Sequence, residues 1–254
     1  MITIALRHSW RLSPRSAIRL QRRLAERVSI SPFRGPIRCV AGADVSYDPG
    51  SGRFHAAVVL LEWPGLSVLE VARASGRSPF PYIPGLLSFR EIPPLLRAFR
   101  RLGRKPDLIF CDGQGLAHPR RFGLACHLGL LLDIPTLGCA KTILVGEHAE
   151  VPGRRGGRRG LLFEAKRVGT ALRTREGARP VFVSPGHRLS VGQAATWAMR
   201  CAGRYRIPEP TRLADLEVSR MRRNALGRRR PTAAPAAGYV RIRAHSGPIR
   251  RSDP

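Results

Sequence analysis

The sequence predicts an α/β protein, a mixed five-stranded sheet flanked by helices, and three observations carry that expectation. Short β-rich runs follow one another between residues 39 and 72, separated by the turn formers Asp48-Pro49-Gly50-Ser51-Gly52 and Pro64-Gly65. An apolar run, a helical stretch and a second apolar run come next, between residues 108 and 140. A chain of 254 residues that is 43% hydrophobic can bury one sizeable core and does not require two domains.

Residues 1–34 carry eight arginines against one glutamate. There Ser13 precedes Ala17, Ile18, Leu20, Leu24 and Val28 at helical spacing, which predicts a basic amphipathic helix. Cys39–Tyr47, Phe54–Leu61 and Val68–Ala72 read as three sequential antiparallel strands. Ser88-Phe89-Arg90-Glu91 has the form of a capping box opening a helix that runs to about Leu102: Ser88 satisfies an orphan amide and Glu91 reaches back. Leu108–Cys111 reads as a strand, residues 121–132 as a helix and Thr136–Ala140 as a buried strand, a parallel strand–helix–strand unit. Three antiparallel strands leading into such a unit follow the order of a ribonuclease H-like core. Further on, Pro152–Gly160 is rich in glycine and arginine and reads as a mobile loop. Val181–Ser184 reads as a short strand, and Ser190-Val191-Gly192-Gln193 as a second capping box before a helix through Cys201. The expected organisation is a basic helical segment over 1–34, the α/β domain over 35–220, and an arginine-rich, disordered tail over 221–254.

The net charge of +28 makes polyanions the first partners to consider, nucleic acid before membrane surfaces. Lysine occurs only at 105, 141 and 166, and so strong an arginine bias also arises from genome base composition, so charge alone decides nothing. The five cysteines, at 39, 111, 126, 139 and 201, are odd in number and form no C-x-x-C pair. They point to a reducing, cytoplasmic setting rather than a disulfide framework. Ile2–Leu6 is too short for the apolar region of a signal peptide, and the longest internal run, Leu128–Leu132, stops at Asp133, so no membrane insertion is expected. No obligate protein partner is implied.

Three carboxylates interrupt apolar surroundings: Asp44 in Gly42-Ala43-Asp44, Glu91 at a helix start, and Asp112 at the end of an apolar strand. In the expected sheet the first and fourth strands are neighbours, so Asp44 would lie beside Asp112 while the intervening helix presents Glu91. Such a cluster is unfavourable without a cation. Hard oxygen donors suit Mg²⁺, or Mn²⁺ in its place, better than zinc, and such an ion can polarise a phosphodiester and activate water. Taken singly, each acid also has a plain structural use, the aspartates as turn formers and Glu91 as the capping partner of Ser88. His118 can position water or assist a leaving group and Lys141 can stabilise phosphate charge, or they are a loop histidine and a solvated lysine. Tyr82, in the rigid Pro81-Tyr82-Ile83-Pro84-Gly85, can wedge into a base stack or sit half-buried in a proline-rich turn. His127 and His187 have no ligand-spaced neighbours and read as ordinary hydrogen-bonding residues.

Long blocks resemble the endonuclease V family: Ala41-Gly42-Ala43-Asp44-Val45-Ser46-Tyr47, the run Pro81-Tyr82-Ile83-Pro84-Gly85-Leu86-Leu87-Ser88-Phe89-Arg90-Glu91, and Asp112-Gly113-Gln114-Gly115-Leu116-Ala117-His118-Pro119-Arg120. The resemblance continues through Gly138-Cys139-Ala140-Lys141 and weakly through Pro208-Glu209-Pro210-Thr211-Arg212, covering about residues 36–220. It implies a ribonuclease H-like fold and metal-dependent cleavage of DNA near deaminated purines, above all deoxyinosine, at the second phosphodiester on the 3′ side. It also implies metal ligation by Asp44, Glu91 and Asp112, a wedge at Tyr82, auxiliaries at His118 and Lys141, and a base pocket lined by Gly85, Leu87 and Gly113. The same catalyst acting on inosine in single-stranded RNA, and a non-catalytic basic nucleic-acid-binding module, are the alternatives. The second would be favoured by a missing carboxylate, and all three are present.

Overall fold

The computed structural model describes residues 2–227. Helix α1 (Pro14–Ala25) begins where the Ser13 hydroxyl accepts the Ser16 amide, and Pro14 supplies a preformed first turn. Then come β1 (Cys39–Tyr47), β2 (Arg53–Glu62), β3 (Val68–Arg77), α2 (Leu87–Phe99), β4 (Leu108–Cys111), α3 (Leu124–Leu132) and β5 (Thr136–Ala140). The chain continues through β6 (Arg158–Phe163), β7 (Lys166–Leu172), β8 (Val181–Pro185), α4 (Val191–Arg200) and α5 (Glu209–Gly227). All strands join one sheet, in the order β3-β2-β1-β4-β5-β8-β7-β6. β4 runs parallel to both β1 and β5, and the other neighbours are antiparallel.

Strand alternation sorts the sheet into two buried faces. Ala41, Ala43 and Val45 point to one side, where Ile92 and Leu95 of α2 and Leu128 of α3 pack on them. Val40, Leu108 and Phe110 point to the other, against Ala194 and Ala198 of α4 and Ala214 of α5. Each fully buried Leu, Ile or Phe contributes about 1.5–3 kcal/mol, so these two layers carry most of the hydrophobic driving force. A third cluster joins Ala17, Leu20 and Leu24 of α1 to Phe80, Leu86, Phe89 and Phe122. The basic N-terminal helix is thus packed onto the start of α2. Among the described residues no helix is long and apolar enough to cross a membrane.

The five expected sheet strands are present in the expected arrangement, with three more beside β5, of which β8 is the short strand expected at Val181–Ser184. Two of these lie where the sequence shows little apolar alternation. The end of the predicted loop, from Arg158, is the first half of a β6–β7 hairpin, held by pairing from Arg158↔Leu172 to Phe163↔Lys166. Helix α3 starts at Leu124 rather than 121. The second capping box forms at Ser190 and Gln193 as expected. The first does not: α2 begins at Leu87 with no side-chain cap, and the Ser88 hydroxyl bonds instead to Nδ1 of buried His127 at 3.0 Å. Residues 221–227, assigned to the tail, continue α5, and the remainder of the predicted tail lies outside the described residues.

Candidate active site

The site assembles at the ends of β1 and β4. Their parallel register sets Ala43 beside Cys111, and the Asp112 amide donates to the Ala43 carbonyl at 3.2 Å, so Asp44 and Asp112 stand side by side. Asp44 belongs to the strand row that faces α5, two residues beyond Gly42. Gly42 has no side chain for a physical reason: a Cβ there would lie 1.7 Å from the Pro210 carbonyl oxygen. That close approach lets α5 lie on β1. Thr211, Ala214 and Val218 are buried in the helix, and the turn they define delivers Asp215 to the same place. One carboxylate oxygen from each of Asp44, Asp112 and Asp215 lies within 4.8 Å of the others.

Lys141 follows β5 and bridges two of these acids, its Nζ donating to Asp112 Oδ2 at 2.9 Å and Asp215 Oδ1 at 3.2 Å. Burial opposes its charge, but the two aspartates outweigh that and hold its pKa above the usual lysine range. Glu91 is buried near the cluster yet outside the 4.8 Å set. Its position is fixed by an unusual helix. Pro94 has no N–H for the Arg90 carbonyl four residues earlier, and Tyr47 Oη (2.8 Å) and Ser78 Oγ (3.3 Å) donate to that oxygen instead. The turn holding Glu91 is thereby tied to the end of β1.

The electrostatics of the cluster favour a bound cation. Burial first, then the charges of Asp112 and Asp215, push Asp44 up to about 8, although the Val45 amide and Lys141 pull the other way. Burial, then Asp44 and Asp112, raise Glu91 well above its ordinary value. Two acids held above their ordinary range by the carboxylates around them, in a set with oxygen donors only and one lysine beside it, fit a hard divalent cation. Asp44, Asp112 and Asp215 would hold it, with Glu91 close enough to feel the charges of Asp44 and Asp112.

A cavity of about 320 Å³ opens next to Asp112, lined among others by Tyr82, Gly85, Leu87, Gly113, His118 and Lys141. Tyr82 is 67% exposed at its edge. Gly85 has φ +77°, and its carbonyl accepts from Gln21 Nε2 (3.0 Å), His118 Nε2 (3.0 Å) and Arg120 Nη2 (2.7 Å). His118 Nδ1 accepts the Arg120 amide at 3.1 Å, so both ring nitrogens are engaged with backbone. Burial, then the Arg120 charge, lower its pKa to about 4. This geometry ties His118 to the Tyr82–Gly85 loop through the Gly85 carbonyl.

The sequence-predicted residues thus gather in one place, and one residue was missed. Asp215 sits in a polar stretch among Arg212, Glu217 and Arg220, with no motif around it; its only signal was its position three residues beyond Pro208–Arg212. His127 and His187 behave as ordinary residues: His127 bonds Ser88 and His8, and His187 bonds the Ser29 amide and Asp133.

The family model of endonuclease V matches residues 22–216. The endonuclease V of Gloeobacter violaceus is 50% identical over 210 residues, covering 82% of this chain and 85% of that one. The crystal structure of the Streptomyces avermitilis endonuclease V is 42% identical with a TM-score of 0.82, over 88% of this chain and 99% of that one. The catalytic domain of human endonuclease V is 33% identical with a TM-score of 0.78, over 83% and 96%. With most of its length matched and half of the aligned residues shared, the chain belongs to the endonuclease V family and is a nuclease of the hydrolase class.

Proposed function

We propose that the protein is a Mg²⁺-dependent endonuclease, with Mn²⁺ able to substitute, that reads deoxyinosine in DNA and hydrolyses the second phosphodiester 3′ to it. The observation that carries this is the juxtaposition of a carboxylate cluster suited to a divalent cation with a base-sized cavity, the two sharing Asp112. When bound, the ion supplies charge neutralisation for the scissile phosphate and lowers the pKa of water.

The chain's own residues divide the remaining work. Asp44, Asp112 and Asp215 ligate, Glu91 adds negative charge beside them, and Lys141 sets the orientation of two carboxylates and offers positive charge to the phosphate. Tyr82 enters the base stack as a wedge. Deamination of adenine turns an N6 donor into an acceptor and puts a proton on N1. Helix α2 opens without a side-chain cap, so the first-turn amides of Leu87 and Ser88, both lining the cavity, can donate to the new oxygen. The carbonyl of Gly85 faces Gln21, His118 and Arg120, which leaves Gly85 and Gly113 to shape the pocket. Weakly paired damaged bases also cost less to extrude. The five free, buried cysteines suit a reducing cytoplasm.

The test is mapped cleavage of DNA with and without one deoxyinosine, alongside RNA with and without inosine. Cutting of inosine DNA at the second 3′ linkage, and its loss of lesion preference in Tyr82→Ala, are the expected results. Preferential cutting of inosine RNA would replace the substrate, and indifference to inosine in both would remove the lesion-reading role.

A further inference from the structure

A second groove, of about 550 Å³, lies on the α5 face of the sheet, lined by Arg53 and His55 of β2, Arg73 and Ser75 of β3, and Arg220 and Asn224 of α5. Its strand residues point the same way as Asp44. The pairings run Asp44↔Ala57↔Arg73 in one row and Ser46↔His55↔Ser75 in the next. The groove therefore continues the catalytic face toward β3, whereas the Tyr82 cavity opens on the β4 and β5 side. The carboxylate cluster lies between the two.

The groove is built for an anion. Glu217 Oε1 accepts from both Arg73 Nε (2.5 Å) and Arg220 Nη2 (2.9 Å), so one carboxylate positions two guanidinium groups. Arg53, Arg73 and Arg220 line the groove against Glu217, with Asp48 beneath His55, which leaves positive charge in excess. The buried Nε of Arg53 has no hydrogen-bond partner among the described residues, and neither has Oδ2 of buried Asp48. Below them His55 is almost wholly buried. Its Nε2 bonds Asp48 Oδ1 at 2.9 Å and its Nδ1 lies 3.2 Å from Ser75 Oγ, which places the serine hydroxyl on the groove floor.

We propose that this groove is a second phosphate site, holding a backbone phosphate of the strand being cut, on the 3′ side of the scissile bond. The polarity rests on the reading of the Tyr82 cavity as the lesion pocket: a strand entering there with its lesion, and cut beyond it at the cluster, leaves across β2 and β3. Two inter-strand steps of about 4.8 Å separate β1 from β3, roughly 10 Å. With one phosphate per about 3.4 Å of axis per strand, the bound phosphate lies about two to four nucleotides past the cut.

The experiment is single-turnover cleavage by the full chain and by the double variant Arg53→Gln/Arg220→Gln. The inosine strands end one or six nucleotides beyond the cut, or carry one neutral methylphosphonate at each 3′ position in turn. On the long strand the variant's half-saturation concentration rises about tenfold with its maximal rate within twofold, and on the short strand the variant matches wild type. A neutral linkage two to four nucleotides past the cut weakens wild type similarly and the variant no further. Equal weakening of the variant on long and short strands, or no effect of any 3′ neutral linkage on wild type, would overturn the site. Failure of the lesion reading shows separately, as equal cutting of inosine-free strands by wild type, and would overturn the 3′ polarity.

Discussion

Replacing Gly42 by alanine tests how the site is assembled. The added Cβ would sit 1.7 Å from the Pro210 carbonyl oxygen and 2.2 Å from its carbon, backbone atoms that cannot swing aside. Contact at normal separation requires the start of α5 to retreat by roughly 1.5 Å. Overpacking of this kind costs about 1–3 kcal/mol, or a fall in melting temperature of about 3–10 °C for a domain of this size. The effect on activity should be larger than the effect on stability, because Asp215 lies five residues along the displaced helix. Its carboxylate leaves the 4.8 Å cluster, and a misplacement near 1 Å costs about 100-fold in rate. Thermal unfolding paired with single-turnover cleavage reads both. A Gly42→Ala protein that is folded, metal-responsive and fully active would refute the packing of α5 on β1 as the means of delivering Asp215.

Three other expectations follow from the same geometry. Asp215→Ala lowers the single-turnover rate at least about 100-fold and weakens the Mg²⁺ response, as measured by metal titration of cleavage, and an unchanged titration would exclude it as a ligand. His118→Gln raises half-saturation for inosine DNA through a loosened Tyr82 loop; because His118 lies at about 4, the pH–rate profile above pH 5.5 keeps its wild-type shape. Stability falls on acidification: burial, then the neighbouring His8, holds His127 well below 6.5, and burial also lowers His8. Neutral rings are favoured in the folded state, so this stability is complete above about pH 6.5 and is lost as pH falls toward the folded values. His127 alone adds a slope near 1.4 kcal/mol per pH unit. Urea unfolding between pH 7.5 and 5.5 should show it, with a shallower slope in His127→Leu; identical slopes would remove His127 as the source.

The parts of the fold legible in the sequence were those whose burial is local. β1, β4 and β5 have the bounds their apolar runs suggest, because each run is flanked by residues that end a strand. β6 escaped notice because Arg158, Arg159 and Gly160 carry no apolar alternation, and their strand exists through pairing with β7. Within the site, Asp44 and Asp112 could be joined from topology alone. Glu91 was ambiguous because Ser88-Phe89-Arg90-Glu91 has the form of a capping box; Ser88 turning to His127 removes that alternative. Asp215 was illegible because its place is decided by a backbone approach between Gly42 and Pro210, a contact 168 positions apart that no local pattern encodes.

The central claim is that the acids around Asp112 form a cation-dependent centre for cutting a phosphodiester. The most direct measurement is cleavage of a deoxyinosine strand across a Mg²⁺ series and in EDTA, by wild type and by Asp112→Asn. Wild type should cut only with metal, and the variant should lose at least about 1,000-fold at every Mg²⁺ concentration. Cleavage by wild type in EDTA, or undiminished cleavage by Asp112→Asn, would contradict it.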